Sequence, residues 1–311
     1  MRLISILCLA AAGFALAGAK PAPPRELAKP AAPRELVLTA SQGPYVDAVI
    51  NGVPLRLKLE FALLPDITLN PDAAERAGLG RGDSAWTLQI GPVKLPGRRA
   101  TLPVTLAGLP TQTMVRWLER PVTDGADGLI SPAALPFDSV TLERGPGSPS
   151  DREIALEARV HDTHGLFVPV DIGGRRVAAR LSFLFPRTTA PAAAVAVIAK
   201  RHGGALEDVK SMTEIGHGVF RPVRRFRLAE PLRIGELTIE SLLARTSDFR
   251  GDHKLILPRA TAAPGEILVT GKNKSQFALY RITVGLDVLE RCSAATFDRP
   301  LAQIRLRCAA P

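Results

Sequence analysis

Short apolar runs alternate with polar positions along most of the chain after residue 36. In these runs about every second residue is apolar, a spacing typical of β-strands that bury one face. Glycine and proline interrupt the runs at short intervals, as expected for turns between strands. The pattern predicts an all-β body, with its clearest strands at Tyr45–Ile50, Leu55–Leu59, Trp86–Ile90, Thr101–Leu106 and Val140–Leu142.

Two short segments carry a helical pattern instead, at Pro71–Ala77 and Pro191–Arg201. The first has clear start and stop signals. Asn70 is a residue type that caps helices, Pro71 suits the first helical position, and Gly78 suits the end. These helices interrupt a β fold and do not change its class.

A weak internal duplication is visible in the same pattern. A hairpin with a glycine-containing turn, a strand, and an Ala-rich helix that begins at proline follow one another from residue 49 and again from residue 170. Later, Gly128-Leu129-Ile130 is echoed by Val284-Gly285-Leu286. Such repetition predicts two related lobes. The Gly-, Pro- and Ser-rich stretch Gly145–Asp151 separates them, which gives lobes at 37–147 and 148–311.

This order of elements resembles that of the pepsin and retropepsin superfamily of aspartic proteases. The match covers the hairpin Asn51–Leu55, the helix Ala73–Leu79 and two later elements, Gly128–Leu135 and Val284–Leu289. The resemblance implies a bilobal pepsin-like double β-barrel with short helices and a cleft between the lobes. In that family each lobe supplies one Asp-Thr-Gly loop, and the two aspartates form the catalytic dyad.

Both catalytic motifs are lost in this chain. At the corresponding positions it has Glu60-Phe61-Ala62 and Ser182-Phe183-Leu184. Aspartic proteolysis needs two carboxylates that share one proton, and the hydroxyl of Ser182 is not ionised at neutral pH. The resemblance therefore implies a pseudoenzyme: an exported, non-catalytic, aspartic-protease-like protein with a binding or scaffolding role. Glu60 and Ser182 are its degenerate dyad-equivalent positions, and no catalytic residue is assigned.

Two alternatives stay open. In one, the protein is an active aspartic-type peptidase that pairs Glu60 with another carboxylate, such as Asp66 or Asp127. In the other, the β body is a different sandwich or barrel and the duplication is accidental. Phe61 and Phe183 either fill the floor of the cleft or are ordinary inward-facing strand residues.

The N-terminus indicates export. A basic start, an apolar run and small residues near position 17 are typical of a secretory signal peptide, assigned to residues 1–19. The Pro- and Ala-rich residues 20–36 predict an extended tether. Cys8 leaves with the signal, so Cys292 and Cys308 are expected to form a disulfide in an oxidising compartment. The predicted location is periplasmic or secreted, with no transmembrane segment.

The charge balance favours an anionic partner. The chain has 40 Lys and Arg against 30 Asp and Glu, a formal net charge of +10 at pH 7. The densest basic cluster is interpreted as a docking strip for an anionic envelope component, although a solvated strand face is the alternative. A peptide is the other expected partner, nucleic acid is excluded by export, and a monomer is expected. The residues of this arginine strip are Arg221, Arg224, Arg225 and Arg227.

Other chemistry has little support in the sequence. His161 and His164 lack the further ligands of a zinc site, so no metal is predicted. No cofactor is expected either, since the sequence has no Walker-type phosphate loop, and Gly216-His217-Gly218 is only a weak signal. The string Asp162–Gly165 is interpreted as a turn.

Overall fold

A computed structural model describes residues 34–80, 84–90, 93–245 and 280–310 of the chain. The predicted signal peptide and most of the predicted tether lie outside the described residues. Among the described residues, every helix falls short of the length and apolar character needed to cross a membrane.

The helices are α1 (Pro71–Arg76), α2 (Ala192–His202) and α3 (Leu286–Leu289), with a 3₁₀ turn at Pro132–Ala134. The strands are β1 (Glu35–Leu38), β2 (Tyr45–Ile50), β3 (Val53–Leu59), β4 (Ile67–Leu69), β5 (Ser84–Ile90), β6 (Val93–Leu106), β7 (Leu109–Leu118), β8 (Gly128–Ile130), β9 (Ser139–Glu143), β10 (Arg152–Glu157), β11 (Arg159–His161), β12 (Gly165–Ile172), β13 (Arg175–Leu181), β14 (Thr189–Pro191), β15 (Ala205–Glu214), β16 (Phe220–Ile234), β17 (Leu237–Arg245), β18 (Arg281–Val284), β19 (Cys292–Asp298) and β20 (Gln303–Cys308).

The first lobe is a closed barrel. Its strands lie in the order β2-β3-β8-β4-β7-β6-β5, and β2 also pairs with β6. This extra pairing joins the two ends of the ring, while β5 continues outward from β6 as a hairpin. Alternating apolar residues turn inward, as the period of two predicts, and Ile50, Leu57 and Leu106 are completely buried.

The second lobe repeats the same strand order. Its sheet runs β11-β12-β13-β18-β14-β17-β16-β15, so each strand from β12 onward corresponds in order to a strand of the first lobe. The parallel pairs β3–β8 and β4–β7 have parallel counterparts in β13–β18 and β14–β17. The predicted all-β, bilobal fold with short helices is therefore confirmed. Among the described residues no pairing between β12 and β16 closes this second sheet.

A third sheet joins the two lobes. Its order is β1-β9-β19-β20-β10, so strands from both ends of the described chain belong to one sheet, with β9 between β1 and β19. The predicted disulfide between Cys292 and Cys308 is present and links β19 to β20. β1 begins at Glu35, inside the segment predicted as a tether. The lobe boundaries at 37–147 and 148–311 stay a prediction.

The capping role predicted for Asn70 is wrong. α1 begins at Pro71 as predicted, but the Asn70 side chain makes no hydrogen bond to the helix. Its Oδ1 instead accepts hydrogen bonds from the amides of Val122, at 2.7 Å, and Thr123, at 3.3 Å. Its Nδ2 donates to the carbonyl oxygens of Thr123 and Ala126. Asn70 thus holds the loop of residues 122–126 against the start of α1.

Two apolar clusters occupy the interior. The larger runs through both lobes and the joining sheet. The smaller links the β5–β6 hairpin of the first lobe to parts of the second lobe, including Leu184 and Ile215. Because it bridges the lobes, it forms a wall of the space between them. Its buried members are Ile90, Leu95, Leu118, Val122, Leu129 and Val219.

Candidate functional site

Glu60 and Ser182 occupy equivalent places in the two lobes. Glu60 follows β3, and its amide donates a hydrogen bond to the carbonyl oxygen of Ile130 on β8, at 2.9 Å. Ser182 follows β13, and its amide donates to the carbonyl oxygen of Val284 on β18, also at 2.9 Å. The repeated topology therefore brings together the two positions that the sequence marks as dyad-equivalent.

The two side chains also make equivalent local hydrogen bonds. Oε1 of Glu60 accepts from the amide of Ala62, at 2.9 Å, and Oγ of Ser182 accepts from the amide of Leu184, at 3.2 Å. The amide of Phe185 donates to the same Oγ, at 3.1 Å. With its oxygen occupied as an acceptor, the Ser182 hydroxyl retains its proton for donation. It lies close enough to Glu60 to lower the pKa of that carboxyl.

The middle residues of the two loops contact each other. The rings of Phe61 and Phe183 meet edge to face, with their centroids 5.4 Å apart. Both side chains are buried, and neither lines the space between the lobes. The interpretation that they fill the floor of the cleft is therefore wrong. They join the loops through an apolar contact, at the place where the resembling family has small hydroxyl residues.

A cleft with a volume of about 670 Å³ lies beside these loops, and both lobes contribute to its walls. The β5–β6 hairpin supplies Trp86, Leu88 and Ile90, and the second lobe supplies Leu184 and Ile215. The cleft therefore has apolar patches on both sides. Its charged and titratable lining residues are Lys58, Glu60, Asp66, Asp124, Arg180, Glu214, His217 and Arg281.

Glu60 is a buried carboxyl at the centre of this lining, with only 2% of its surface exposed. Burial raises its pKa to about 7, and the Ala62 amide, the Ser182 hydroxyl and the charges of Arg180 and Lys58 oppose that rise. Its Oε2 is buried and has no hydrogen-bond partner among the described residues. The Glu60 carboxyl therefore titrates near neutral pH instead of near its usual pKa of 4.5.

Arg180 lies on β13, two residues before Ser182, and lines the same cleft. Its Nε is buried without a hydrogen-bond partner in the part of the chain that the structure describes. Burial lowers its pKa to about 10, and the charge of Glu60 opposes that change. The guanidinium therefore stays charged at neutral pH.

His217 enters the cleft from the turn between β15 and β16. The sequence Gly216-His217-Gly218 adopts positive φ at all three residues, with φ of 50° at His217. Such a turn needs glycine on either side, and a non-glycine residue held in it is strained. Burial, followed by the charges of Arg180 and Arg120, lowers the pKa of His217 to about 4. Its imidazole is therefore neutral at neutral pH, and its buried Nδ1 has no partner within the described ranges.

The two carboxylates considered as partners for Glu60 are both engaged elsewhere. Asp66 lines the cleft, but it forms a largely buried ion pair with Arg116, at 3.0 Å. Burial raises the pKa of Asp66 to about 6, against the charge of Arg116 and a hydrogen bond from Thr68. Asp127 does not line the cleft. Its carboxylate accepts from the amide of Arg56, at 2.7 Å, and pairs with Arg76.

The arginine strip lies on β16 at the outer hairpin of the second lobe. Arg224 pairs with Asp208, at 3.0 Å, and Arg227 pairs with Glu207, at 3.2 Å. Arg225 is exposed, Arg221 is partly buried, and Phe226, between Arg225 and Arg227, points inward. Two of the four arginines are thus neutralised by β15. The docking of an anionic component on this strip stays a prediction.

The string Asp162–Gly165 contains the predicted turn: residues 162–164 connect β11 to β12, and Gly165 begins β12. Its Thr163 lines the cleft, and Gly165 lies directly against the loop that follows Glu60. A Cβ at Gly165 would lie 1.9 Å from the carbonyl oxygen of Leu63, so only glycine fits there. Across the described ranges, no three His, Cys, Asp or Glu side chains are grouped as metal ligands.

No protein-family model matches the chain, and no curated protein matches it. Among solved structures, the chain is similar to the retroviral protease-like domain of Ddi1 from Leishmania major. The sequence identity is 23%, the TM-score is 0.23, and the match covers 30% of this chain and 75% of that chain.

Sequence reasoning missed two residues of the cleft, Arg180 and His217. A charged residue within the apolar run Val177–Phe183 was a signal for the first, because a strand that is apolar on both faces leaves little room for a solvated cation. The glycines on both sides of His217 were a signal for the second, because they mark a tight turn. Neither signal says which cavity the side chain enters.

Proposed function

We propose that this protein is a non-proteolytic, aspartic-protease-like protein that binds an extended polypeptide segment in the cleft between its lobes. This proposal rests on the residue types at the two dyad-equivalent positions. They hold one carboxyl, Glu60, and one hydroxyl, Ser182. Activation of a water for attack on a peptide bond requires a second carboxyl beside the first, to share the proton and act as the acid.

Within the part of the chain that the structure describes, the surroundings of Glu60 give no substitute for that second carboxyl. Asp66, which also lines the cleft, is paired with Arg116, and Asp127 is bonded outside the cleft. Oε1 of Glu60 is itself tied to the Ala62 amide. This arrangement supports binding without peptide-bond hydrolysis.

The walls of the cleft suit an extended polypeptide. A volume of about 670 Å³ lies in the range of ligand sites. β5 ends the sheet of the first lobe and β15 ends that of the second, and residues of both strands line the cleft. The open backbone groups of an edge strand pair readily with another extended chain. The apolar side chains between these edges would hold the apolar side chains of the ligand.

We place the protein outside the cytoplasm, in the periplasm or secreted. The support is the signal-like N-terminus together with the Cys292–Cys308 disulfide, since such bonds persist in oxidising compartments.

A cleavage and retention assay tests the proposal. The chain without residues 1–19 is incubated with reduced, alkylated casein from pH 3 to pH 7, with and without pepstatin. Casein is expected to stay intact and to be retained by the immobilised protein. Pepstatin-sensitive cleavage that disappears in Glu60→Gln would establish the peptidase alternative instead.

Two tryptophan variants locate the binding. Leu184→Trp fills the cleft, since Leu184 is partly exposed and lines it, and it should weaken casein retention several-fold. Leu301→Trp makes the same change of side chain at a residue that is 60% exposed, outside the cleft lining and outside both edge strands, and it should retain casein as the wild type does. Equal retention by both variants would place polypeptide binding elsewhere.

A further inference from the structure

Oδ2 of Asp66 is a buried atom of the cleft without a hydrogen bond, but it is paired with Nε of Arg116 at 3.0 Å. Three other buried polar atoms of the same cleft have no hydrogen-bond partner among the described residues. They are Oε2 of Glu60, Nε of Arg180 and Nδ1 of His217. Buried polar atoms are nearly always paired in folded proteins, and an unpaired one costs about 1–3 kcal/mol. Their concentration at a single cavity indicates a place where a polar group from outside completes the hydrogen bonds.

The charges around these atoms indicate which chemical group of a ligand would bind there. Arg180 is a cation, His217 is neutral, and Glu60 carries at most a partial negative charge at neutral pH. The neighbouring acids are engaged: Asp66 pairs with Arg116, and Glu214 accepts from the amide of Gly218, at 2.7 Å. Positive charge is therefore in excess at Arg180. A guanidinium whose buried Nε lacks an acceptor favours a planar anion, for which a carboxylate is the best geometric match.

We propose that the cleft binds the carboxylate of an apolar peptide, with Arg180 as the main contact and Glu60 and His217 beside it. This inference rests on the proposed function and deepens it by naming the chemistry of the ligand. The carboxylate comes from the C-terminus of the peptide or from an Asp or Glu side chain. The apolar patches at Trp86 and Leu184 hold the residues next to it.

Protonation of Glu60 adds a dependence on pH. While the Glu60 carboxyl keeps its proton it donates a hydrogen bond to the ligand, and once ionised it repels the ligand carboxylate. Affinity is therefore expected to fall as pH rises through 7, and Glu60→Gln should remove the fall. The other charged and titratable groups of the lining are Lys58, Arg180 and Arg281, Asp66, Asp124 and Glu214, and His217.

Peptide pools separate the two sources of the carboxylate. Pools of randomised apolar octapeptides are offered to the immobilised protein in three forms: with a free C-terminus, amidated with one internal Glu, and amidated without acid. Charge-assisted hydrogen bonds predict enrichment of at least one acidic form by about tenfold or more over the neutral pool. The form that is enriched identifies the source. Equal retention of all three pools overturns the inference and leaves the proposed function standing.

Substitutions on β13 test whether Arg180 contacts the carboxylate of the ligand. Arg180→Met should abolish the preference for the carboxylate, and Arg180→Lys should keep a reduced preference because the charge remains. Arg176→Met removes the same charge from an exposed residue of β13 outside the cleft lining, and it should keep the full preference. Circular dichroism and thermal melting confirm that each variant is folded. An unchanged preference in a folded Arg180→Lys or Arg180→Met variant rejects the assignment to Arg180.

A small probe tests the carboxylate site at Arg180 separately from peptide binding. 4-Phenylbutyrate carries a carboxylate on an apolar body, and its amide is the neutral match. Chemical-shift changes in the protein that require both the carboxylate of the probe and Arg180 support the carboxylate site. If these changes occur but no peptide pool is retained, only the proposed function fails. Equal shifts from acid and amide reject it.

Discussion

At the scale of single residues, Glu60 shows how this fold handles a buried carboxyl. The Ala62 amide and the Ser182 hydroxyl favour the charged form of this side chain, but its Oε2 is unpaired and burial outweighs them. The carboxyl therefore binds its proton more tightly in the folded chain than in the unfolded chain, where the pKa is 4.5. Such a group stabilises the fold below that unfolded pKa, and the contribution is lost as pH rises through the folded value.

Replacement of Glu60 by Gln should remove this dependence. A pKa raised from 4.5 to about 7 corresponds to ~3 kcal/mol. We expect the free energy of unfolding of Glu60→Gln, relative to wild type, to increase by about that amount between pH 4.5 and pH 7.5. Urea titrations at a series of pH values measure the difference.

The free energy of unfolding is compared with that of the wild type because the titration of His217 changes stability with pH in the opposite direction. Its lowered pKa makes the fold more stable as pH rises toward 6.5, in the variant and in the wild type alike. That contribution cancels in the difference. A difference that stays constant with pH would contradict a raised pKa at Glu60.

At the scale of elements, a single side chain secures the join between α1 and the loop of residues 122–126. Asn70 is 7% exposed and makes hydrogen bonds through both ends of its amide. Val122 and Thr123 of that loop line the cleft. The position of one wall of the cleft thus depends on Asn70.

Asn70→Ala should therefore destabilise the protein by about 2–4 kcal/mol, because it leaves buried backbone groups of the loop unpaired. Thermal and urea unfolding measure the loss. Asp72→Ala on the same helix is the matched control: its side chain is 70% exposed, and the change should stay within about 0.5 kcal/mol. Equal stability of the two variants would show that the loop does not need Asn70.

The strands and helices closest to their predicted bounds are those specified by local pattern. β2 has the predicted bounds, Tyr45–Ile50, and α1 starts at the predicted Pro71. The hydrogen bonds of Asn70 to the loop were not predicted, because an amide side chain can cap a helix or bond to a distant loop equally well. The same limit applies to Arg180 and His217, since their burial depends on how the lobes and the β15–β16 hairpin pack. Glu60 and Ser182 were found because the repeat places both at the end of the same strand of each lobe.

At the scale of the whole molecule, the joining sheet holds the two lobes together. β19 lies between β9 of the first lobe and β20, and the disulfide fastens β19 to β20. The two cysteines are separated by 16 positions and are both buried.

Cys292→Ser/Cys308→Ser should lower the free energy of unfolding by ~3 kcal/mol, as expected for a closed loop of this length. Reduction of the wild type with dithiothreitol should lower the melting temperature to the same extent as the double substitution. Identical melting of the oxidised and reduced wild type would show that the bond contributes nothing to stability.

The order of strands in the joining sheet also determines when the protein can become functional. β1 and β9 come from the start and middle of the described chain, whereas β19 and β20 come from its end. Contacts between such distant segments form slowly, because a long loop must close first. The closed barrel of the first lobe has its own hydrogen-bonded ring and can assemble as soon as β8 has been synthesised. The cleft, which is lined by residues of both lobes as far along the chain as Arg281, can therefore form only after β18 has been synthesised.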